Sequence, residues 1–240
     1  MTLPVRIVLV GTTHPGNIGA AARAMRTMGL DRLSLVAPRE FPSCEATARA
    51  AGADEILAQA RICASLEEAL AGCHFVVGAS ARLRAVSWPQ LSPREAAARL
   101  VAECGLGEAA VVFGRESSGL TNEELSRCHS LLHIPAEPDF SSLNLGMAVQ
   151  IVAYELRLAM LDGTGEAPAR SAPLATAEEM ERFYDHLQEL LIAARFLDPS
   201  NPRQLMLRLR RFFNRALPEH NEISILRGIL SALAPRGQRD

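Results

Sequence analysis

From its first residues to about position 161 the chain alternates short, largely apolar runs with segments of helical period. VRIVLVG at 5–11, LSLVAP at 33–38, FVVGAS at 75–80, AAVVFG at 109–114 and LLHIPA at 131–136 are rich in β-branched residues and leucine. They lack the apolar–polar alternation of a half-exposed strand, so they read as strands buried on both faces of a parallel sheet. Between them, Ser65-Leu-Glu-Glu68, Ser92-Pro-Arg-Glu95 and Thr121-Asn-Glu-Glu124 read as capping boxes that open helices, the second with proline at the first helical position. The expected fold is α/β, a parallel sheet flanked by helices with right-handed crossovers.

After Leu161 the pattern changes. DGTGEAPARSAP, starting at Asp162, is poor in apolar residues and rich in Gly, Pro and Ala, which is linker composition. The expected organisation is an α/β domain at 1–161, a linker at 162–175 and a small all-helical extension at 176–240. Thr176-Ala-Glu-Glu179 opens a helix whose apolar positions Met180, Phe183, Leu187, Leu190, Leu191 and Ala194 keep helical period. Helical segments follow at roughly 202–217 and 222–234. About 65 residues bury little core alone, so the extension is expected to pack on the α/β domain or on a partner. The apolar stretch Leu143–Leu161 is broken by Gln150, Glu155 and Arg157, which makes it a core helix and not a membrane span.

Composition narrows the chemistry. With 48% hydrophobic and 22% charged residues the chain is of ordinary soluble globular type. All 25 of its Lys+Arg residues are arginine. Phosphate-loop lysines, Schiff-base lysines and the kinase strand lysine are therefore excluded, while arginine offers fixed forks for phosphate and carboxylate. The net charge of −2 argues against a uniformly basic nucleic-acid binder but not against local patches. Five scattered cysteines, Cys44, Cys63, Cys73, Cys104 and Cys128, with no C-x-x-C pair, read as buried reduced thiols of a cytoplasmic protein. The N-terminus has neither the basic region nor the cleavage site of a signal peptide.

In open α/β sheets ligands lie beyond the carboxyl ends of the strands. The loop after the first run, Gly11-Thr-Thr-His-Pro-Gly16-Asn17-Ile-Gly19, starts with Walker A spacing, but Asn-Ile stands where Lys-Ser/Thr is needed, and G-x-G-x-x-G is absent. Taken alone, it is equally well a glycine-rich turn into a helix that carries a surface arginine, Arg23. After the fourth run, Gly114 and Gly119 bracket Arg115 and Glu116 on a loop that can present backbone N–H groups and one carboxylate, or that is simply a salt-bridged turn. After the fifth run, Ser141 and Ser142 are candidate helix caps, and Asn144 falls in the first turn of an apolar helix, where a buried amide needs partners. Gly78-Ala-Ser80-Ala-Arg82 lacks the last glycine of a nucleophile elbow. His129 and His133 flank a strand start, and no metal-ligand spacing occurs.

Taken in order, N-x-G-x-x-x-R at 17–23, V-F-G-R-E-x-x-G-L-T-N-E-E-L at 112–125 and I-P-x-x-x-x-x-S-S-L-N-L-x-M-A at 134–148 resemble the three motifs of the SPOUT superfamily of RNA methyltransferases. Within it the chain most resembles the bacterial tRNA 2′-O-ribose methyltransferases that act on nucleotide 32, a cytidine or uridine of the anticodon loop. The resemblance covers about 160 residues. It implies a C-terminal deep trefoil knot, a homodimer, no membrane association, no metal, and S-adenosylmethionine as methyl donor. Carried over, the cofactor-binding residues are Ala79, Ser80, Ala81, Gly114, Arg115, Ile134, Ser141, Ser142 and Leu143. Arg23, Asn17, Glu116, Ser142 and Asn144 take the positions tied to the ribose or to catalysis. A guanidinium, whose pKa lies above roughly 12, is a poor base. Arg23 is therefore expected to clamp the neighbouring phosphate and stabilise charge on the ribose oxygen, with Ser142 and Asn144 orienting the hydroxyl.

The extension adds its own signal. Arg195, Arg203, Arg208, Arg210, Arg211 and Arg215 stand against Asp198 alone between 195 and 215, a local excess of about five charges hidden by the overall −2. Arg208, Arg211 and Arg215 are expected to form a basic stripe opposite Leu205, Leu209 and Phe212. With Arg203, and with Arg82 and Arg84 beside the third run, they form a candidate tRNA-holding surface, although a solvated helix face is the plainer alternative. A catalytically silent RNA-binding relative and a nucleotide-dependent α/β enzyme are the competing functions.

Overall fold

The computed structural model describes residues 3–81, 88–163 and 172–234. Its seven strands are β1 (Val5–Val10), β2 (Arg32–Val36), β3 (Arg61–Cys63), β4 (Cys73–Ala79), β5 (Gln90–Leu91), β6 (Glu108–Phe113) and β7 (Ser130–Leu132). They form one sheet in the order β3-β2-β1-β6-β4-β7-β5, with every pairing parallel. All six residues of β1 are buried, including Arg6, whose guanidinium pairs with Glu108 at 2.6 Å and donates to the Ala69 and Ala71 carbonyls. The five predicted strands are present. Strands β3 and β5 were not foreseen: three and two residues long at the sheet edges, they are too short to carry a pattern. The run predicted to 136 ends at Leu132, because Pro135 cannot continue a ladder.

The helices are α1 (Pro15–Met28), α2 (Cys44–Ala50), α3 (Asp54–Ala58), α4 (Leu66–Leu70), α5 (Pro93–Cys104), α6 (Asn122–Leu125), α7 (Leu145–Leu161), α8 (Ala177–Ala193), α9 (Leu205–Ala216) and α10 (His220–Leu233). Reciprocal capping boxes open α5, α6 and α8 as expected. At α4 Ser65 caps the Glu68 amide, but the Glu68 carboxylate reaches back one residue further, to the Ala64 N–H at 2.8 Å, so the box is not reciprocal. No described helix is long and apolar enough to cross a membrane. Cys44 corrects the expectation of buried thiols: it opens α2 at the surface, whereas Cys63, Cys73 and Cys128 are buried.

A core of Val5, Ile7, Leu9, Phe75, Val77 and Val111 is covered by α1, α2, α3, α5 and α7. The opposite face, with Val8, Val10, Val76, Ala110 and Val112, is covered by α4 and α6. These are only five and four residues long and cannot shield a seven-stranded sheet. The C-terminal helices complete the cover, because Ala177 of α8 and Leu207 of α9 pack onto this second core while Met180, Phe183, Tyr184 and Ile223 form a small core beneath. Polar ties fix the seam. Asn214, 4% exposed, donates to the Ser126 carbonyl at 2.8 Å and accepts from the Tyr184 hydroxyl at 2.6 Å. Glu178 accepts from the Gly72 N–H at 3.0 Å, and Arg127 pairs with Glu67, Glu123 and Glu181. Of the two packing modes expected for the extension, docking on the α/β layer is the one observed.

Candidate active site

Strand order reverses between β1 and β6: the chain leaves β1 toward β2 on one side and leaves β6 toward β7 on the other. The loops beyond these two carboxyl ends therefore diverge and leave a crevice. Beside it, a cavity of about 220 Å³ lies over the carboxyl ends of β6, β4 and β7. Its wall contains all nine predicted cofactor-binding residues, Ala79, Ser80, Ala81, Gly114, Arg115, Ile134, Ser141, Ser142 and Leu143. Glu116, predicted for catalysis, is in the wall as well; Phe113, Ser117, Ser118, Gly119, Leu132, Leu145 and Ala148 complete the lining and were not foreseen, although all but Leu132 fall within the motifs.

The 114–119 loop is built to come close. A Cβ on Gly114 would sit 2.2 Å from the Gly119 carbonyl carbon, so only glycine lets the loop close on itself. Arg115 and Gly119 exchange backbone hydrogen bonds at 3.2 and 2.8 Å, with Gly119 in the left-handed region at φ 68°. Arg115 lines the cavity, but its guanidinium points elsewhere: it makes a two-pronged pair with Glu124 at 3.0 and 3.0 Å. Glu124 also closes the α6 capping box, and these partners hold its carboxyl below the usual range despite partial burial. The cavity loop is thus braced on the helix that follows it.

Glu116 is fully engaged by the β1–α1 loop. Its carboxylate accepts from the Thr13 N–H at 3.2 Å, the Thr13 hydroxyl at 3.0 Å, the His14 N–H at 3.3 Å and the Asn17 amide at 2.9 Å. Partial burial pushes its pKa up, but the donors outweigh it and hold the carboxyl at about 2. A carboxylate so stabilised is a weak base at neutral pH, and its four donors tie the 114–119 loop to the β1–α1 loop.

Asn17 Oδ1 in turn accepts from Asn144 Nδ2 at 2.9 Å, linking all three motif loops through Glu116, Asn17 and Asn144. Asn144 differs from its expected place. It is exposed and is itself the cap of α7, its Oδ1 accepting from the Gly146 and Met147 N–H groups at 2.9 and 3.4 Å. Ser141 and Ser142 are not the caps of α7; they lie exposed on the cavity wall. Arg23, about two turns into α1, is exposed and has no ion-pair partner among the described residues.

On the C-terminal helices, Arg203, Arg208 and Arg215 are exposed and Arg211 is half-buried. Arg210 is withdrawn: it pairs with Glu181 at 2.6 and 2.8 Å and lies over the Tyr184 ring at 4.4 Å. The predicted division of α9 into opposite basic and apolar stripes fails. The face that docks is Met206, Phe213 and Asn214, while Phe212 is 55% exposed among the arginines. Arg82 and Arg84 lie outside the described residues.

The fold and the crevice define an α/β protein with a ligand cleft at the carboxyl ends of its parallel strands. The chain belongs to the SpoU rRNA Methylase family, whose model matches residues 4–154, and a model for the C-terminal domain of the tRNA methyltransferase TrmJ matches residues 178–240. It is 51% identical over 233 residues to the tRNA (cytidine/uridine-2′-O-)-methyltransferase TrmJ of Klebsiella pneumoniae, covering 95% of this chain and 96% of that protein. It is likewise 51% identical over 237 residues to the tRNA (cytidine/uridine/adenosine-2′-O-)-methyltransferase TrmJ of Pseudomonas aeruginosa, covering 95% and 92%. The crystal structure of TrmJ from Z. mobilis ZM4 superposes with a TM-score of 0.83 at 35% identity, covering 95% of this chain and 98% of that one. A structure concerned with 2-OH methylation of C/U34 on tRNA matches at 0.52 and 29% identity over 65% of this chain and 91% of its own.

Proposed function

We propose that this chain transfers a methyl group from S-adenosylmethionine to the ribose 2′-hydroxyl of nucleotide 32, a cytidine or uridine, in the anticodon loop of tRNA. The observation that carries the reading is the cleft walled by the second and third motif loops, to which the first is tied through Asn17, within a chain whose full-length relatives are tRNA 2′-O-methyltransferases. The residues present suit the cofactor. Phe113, Leu132, Ile134 and Leu145 offer apolar wall to an adenine ring, and the backbone of 79–81 and 114–119 offers polar groups. The cofactor, when bound, supplies a methyl on a positively charged sulfur, so no metal is needed.

The protein's task is alignment and charge. Transfer requires the ribose oxygen to stand in line with the methyl and to lose its proton as the bond forms. Arg23, unpaired and exposed, is assigned to the phosphate beside that ribose and to the developing oxyanion. Ser142 is assigned to the hydroxyl. Asn17, Glu116 and Asn144 hold the loops that place them.

We also infer a homodimer. Met147, Tyr154 and Leu161, 59%, 49% and 66% exposed, recur every seventh residue on one face of α7, and Phe140 just before it is 82% exposed. Such a face suits a second copy. The trefoil knot expected of the superfamily, the division at 1–161, 162–175 and 176–240, and a cytoplasmic location belong to the same reading. Methyl transfer from tritiated S-adenosylmethionine to unmodified tRNA, followed by mass mapping, tests it. Ribose methylation at nucleotide 32 is expected; no incorporation, or incorporation at 34, overturns it.

A further inference from the structure

We infer that Phe212 is a stacking platform for an unpaired base of the RNA, with Arg208, Arg211 and Arg215 as phosphate clamps around it. This rests on the tRNA reading above. Phe212 is 55% exposed, yet its ring is not loose. It meets Phe213 edge to face at 5.2 Å and 82°, and Phe213 meets Phe183, 1% exposed, at 4.8 Å and 81°. A ladder of three rings thus runs from the small C-terminal core to the surface and fixes the outermost one. A pre-oriented aromatic ring loses little freedom on binding, and any base can stack on it.

The neighbours supply the charge. At 3.6 residues per turn, Arg208 and Arg215 lie about 40° and 60° from Phe212 on the helix, with Arg211 about 100° away. None of the three has an ion-pair partner among the described residues, and α9 contains no acidic residue. Arg211 Nε is buried with no hydrogen-bond partner among them. Arginine forks around an exposed ring match a single-stranded RNA segment, in which phosphates and splayed bases alternate. A protein partner taking the same patch would leave three guanidinium groups to be neutralised.

The test is tRNA binding by the full-length chain across a salt series, for wild type, F212L, F212W and the triple variant R208Q/R211Q/R215Q. F212L is expected to weaken Kd about tenfold with an unchanged salt slope, since stacking releases no counterion. F212W is expected to bind as wild type. The triple variant is expected to flatten the slope. Fluorescence provides a readout independent of affinity: the only native tryptophan, Trp88, is buried, so emission added by F212W should be quenched by bound tRNA. Wild-type affinity in F212L, or unquenched emission in F212W at saturating tRNA, overturns the stacking role. So does loss of binding that coincides with loss of the dimer by light scattering. A wild-type chain that binds no tRNA would instead sink the tRNA reading itself.

Discussion

Glu116→Gln separates a positioning carboxylate from a chemical one. The glutamine keeps the shape but turns an –NH₂ toward a site where four donors converge, from Thr13, His14 and Asn17. A carboxyl that ordinarily titrates at 4.5 and here near 2 has its ionised form favoured by about 3 kcal/mol. Solvent screening at this partly exposed site leaves about 1–2 kcal/mol, or a fall in Tm of about 2–8 °C for a chain of this size. Because the folded pKa is depressed, that stability is fully present above 4.5 and is lost as the pH falls toward 2. The melting deficit of E116Q relative to wild type should therefore be constant from pH 8 to about 5 and shrink below 4.5. Single-turnover methyl transfer should slow about 10- to 100-fold through misplacement of Asn17 and its neighbours, with the pH dependence of the rate unchanged between about 6 and 9. Equal melting of the two proteins at neutral pH would refute the clamp. A variant whose pH–rate profile loses a limb would show that Glu116 handles a proton after all.

Arg23→Lys keeps the charge but loses the planar fork; single-turnover transfer should fall about tenfold or more, and a nearly full rate would refute the two-pronged clamp. Gly114→Ala would force a Cβ against the backbone of Gly119, so S-adenosylmethionine affinity by calorimetry should drop at least about tenfold. Asn214→Ala should strand the Ser126 carbonyl and one bond of the Tyr184 hydroxyl. It should cost about 2 kcal/mol, read as a Tm lower by about 4–8 °C, while a melt unchanged within a degree would mean that the seam rests on apolar packing alone.

What could be read from the chain and what could not divide along physical lines. Strands β1, β4 and β6 were legible because both their faces are buried and nearly every position is apolar, Arg6, His74 and Glu108 being the exceptions. Strands β3 and β5 were not, being too short for any period to show. The cavity lining was legible through its motifs, since backbone and small side chains at strand ends leave a recognisable spacing. The cap of α7 was harder, because Ser141, Ser142 and Asn144 are all good caps within four residues and only the three-dimensional path selects one. The Glu116 clamp joins residues about a hundred positions apart, a distance no local pattern spans. On α9, leucine, methionine and phenylalanine surround the axis, so an apolar stripe can be drawn in more than one direction. Packing against Phe183 and Ser126 chose Met206, Phe213 and Asn214 and left Phe212 outside.

These placements bear on how the proposed reaction is accelerated. The titratable side chains in the cavity wall are those of Arg115 and Glu116. Glu116 is held at about 2 by donors of the first loop, and Arg115 is braced on Glu124, so neither is arranged to take a proton from the acceptor hydroxyl near neutral pH. In the proposed reaction the hydroxyl's proton is assigned to solvent as the methyl arrives. On that reading the barrier is lowered by fixed geometry and by positive charge near the oxygen, a role assigned to Arg23. Such a site depends on rigidity, because preorganised charge is worth most when nothing has to move during the reaction. The chain from Asn144 through Asn17 to Glu116 supplies that rigidity by tying α7, α1 and the loop after β6 into one frame. The three motif loops are thus joined in one hydrogen-bonded chain, with Asn17 of the first between Glu116 of the second and Asn144 of the third.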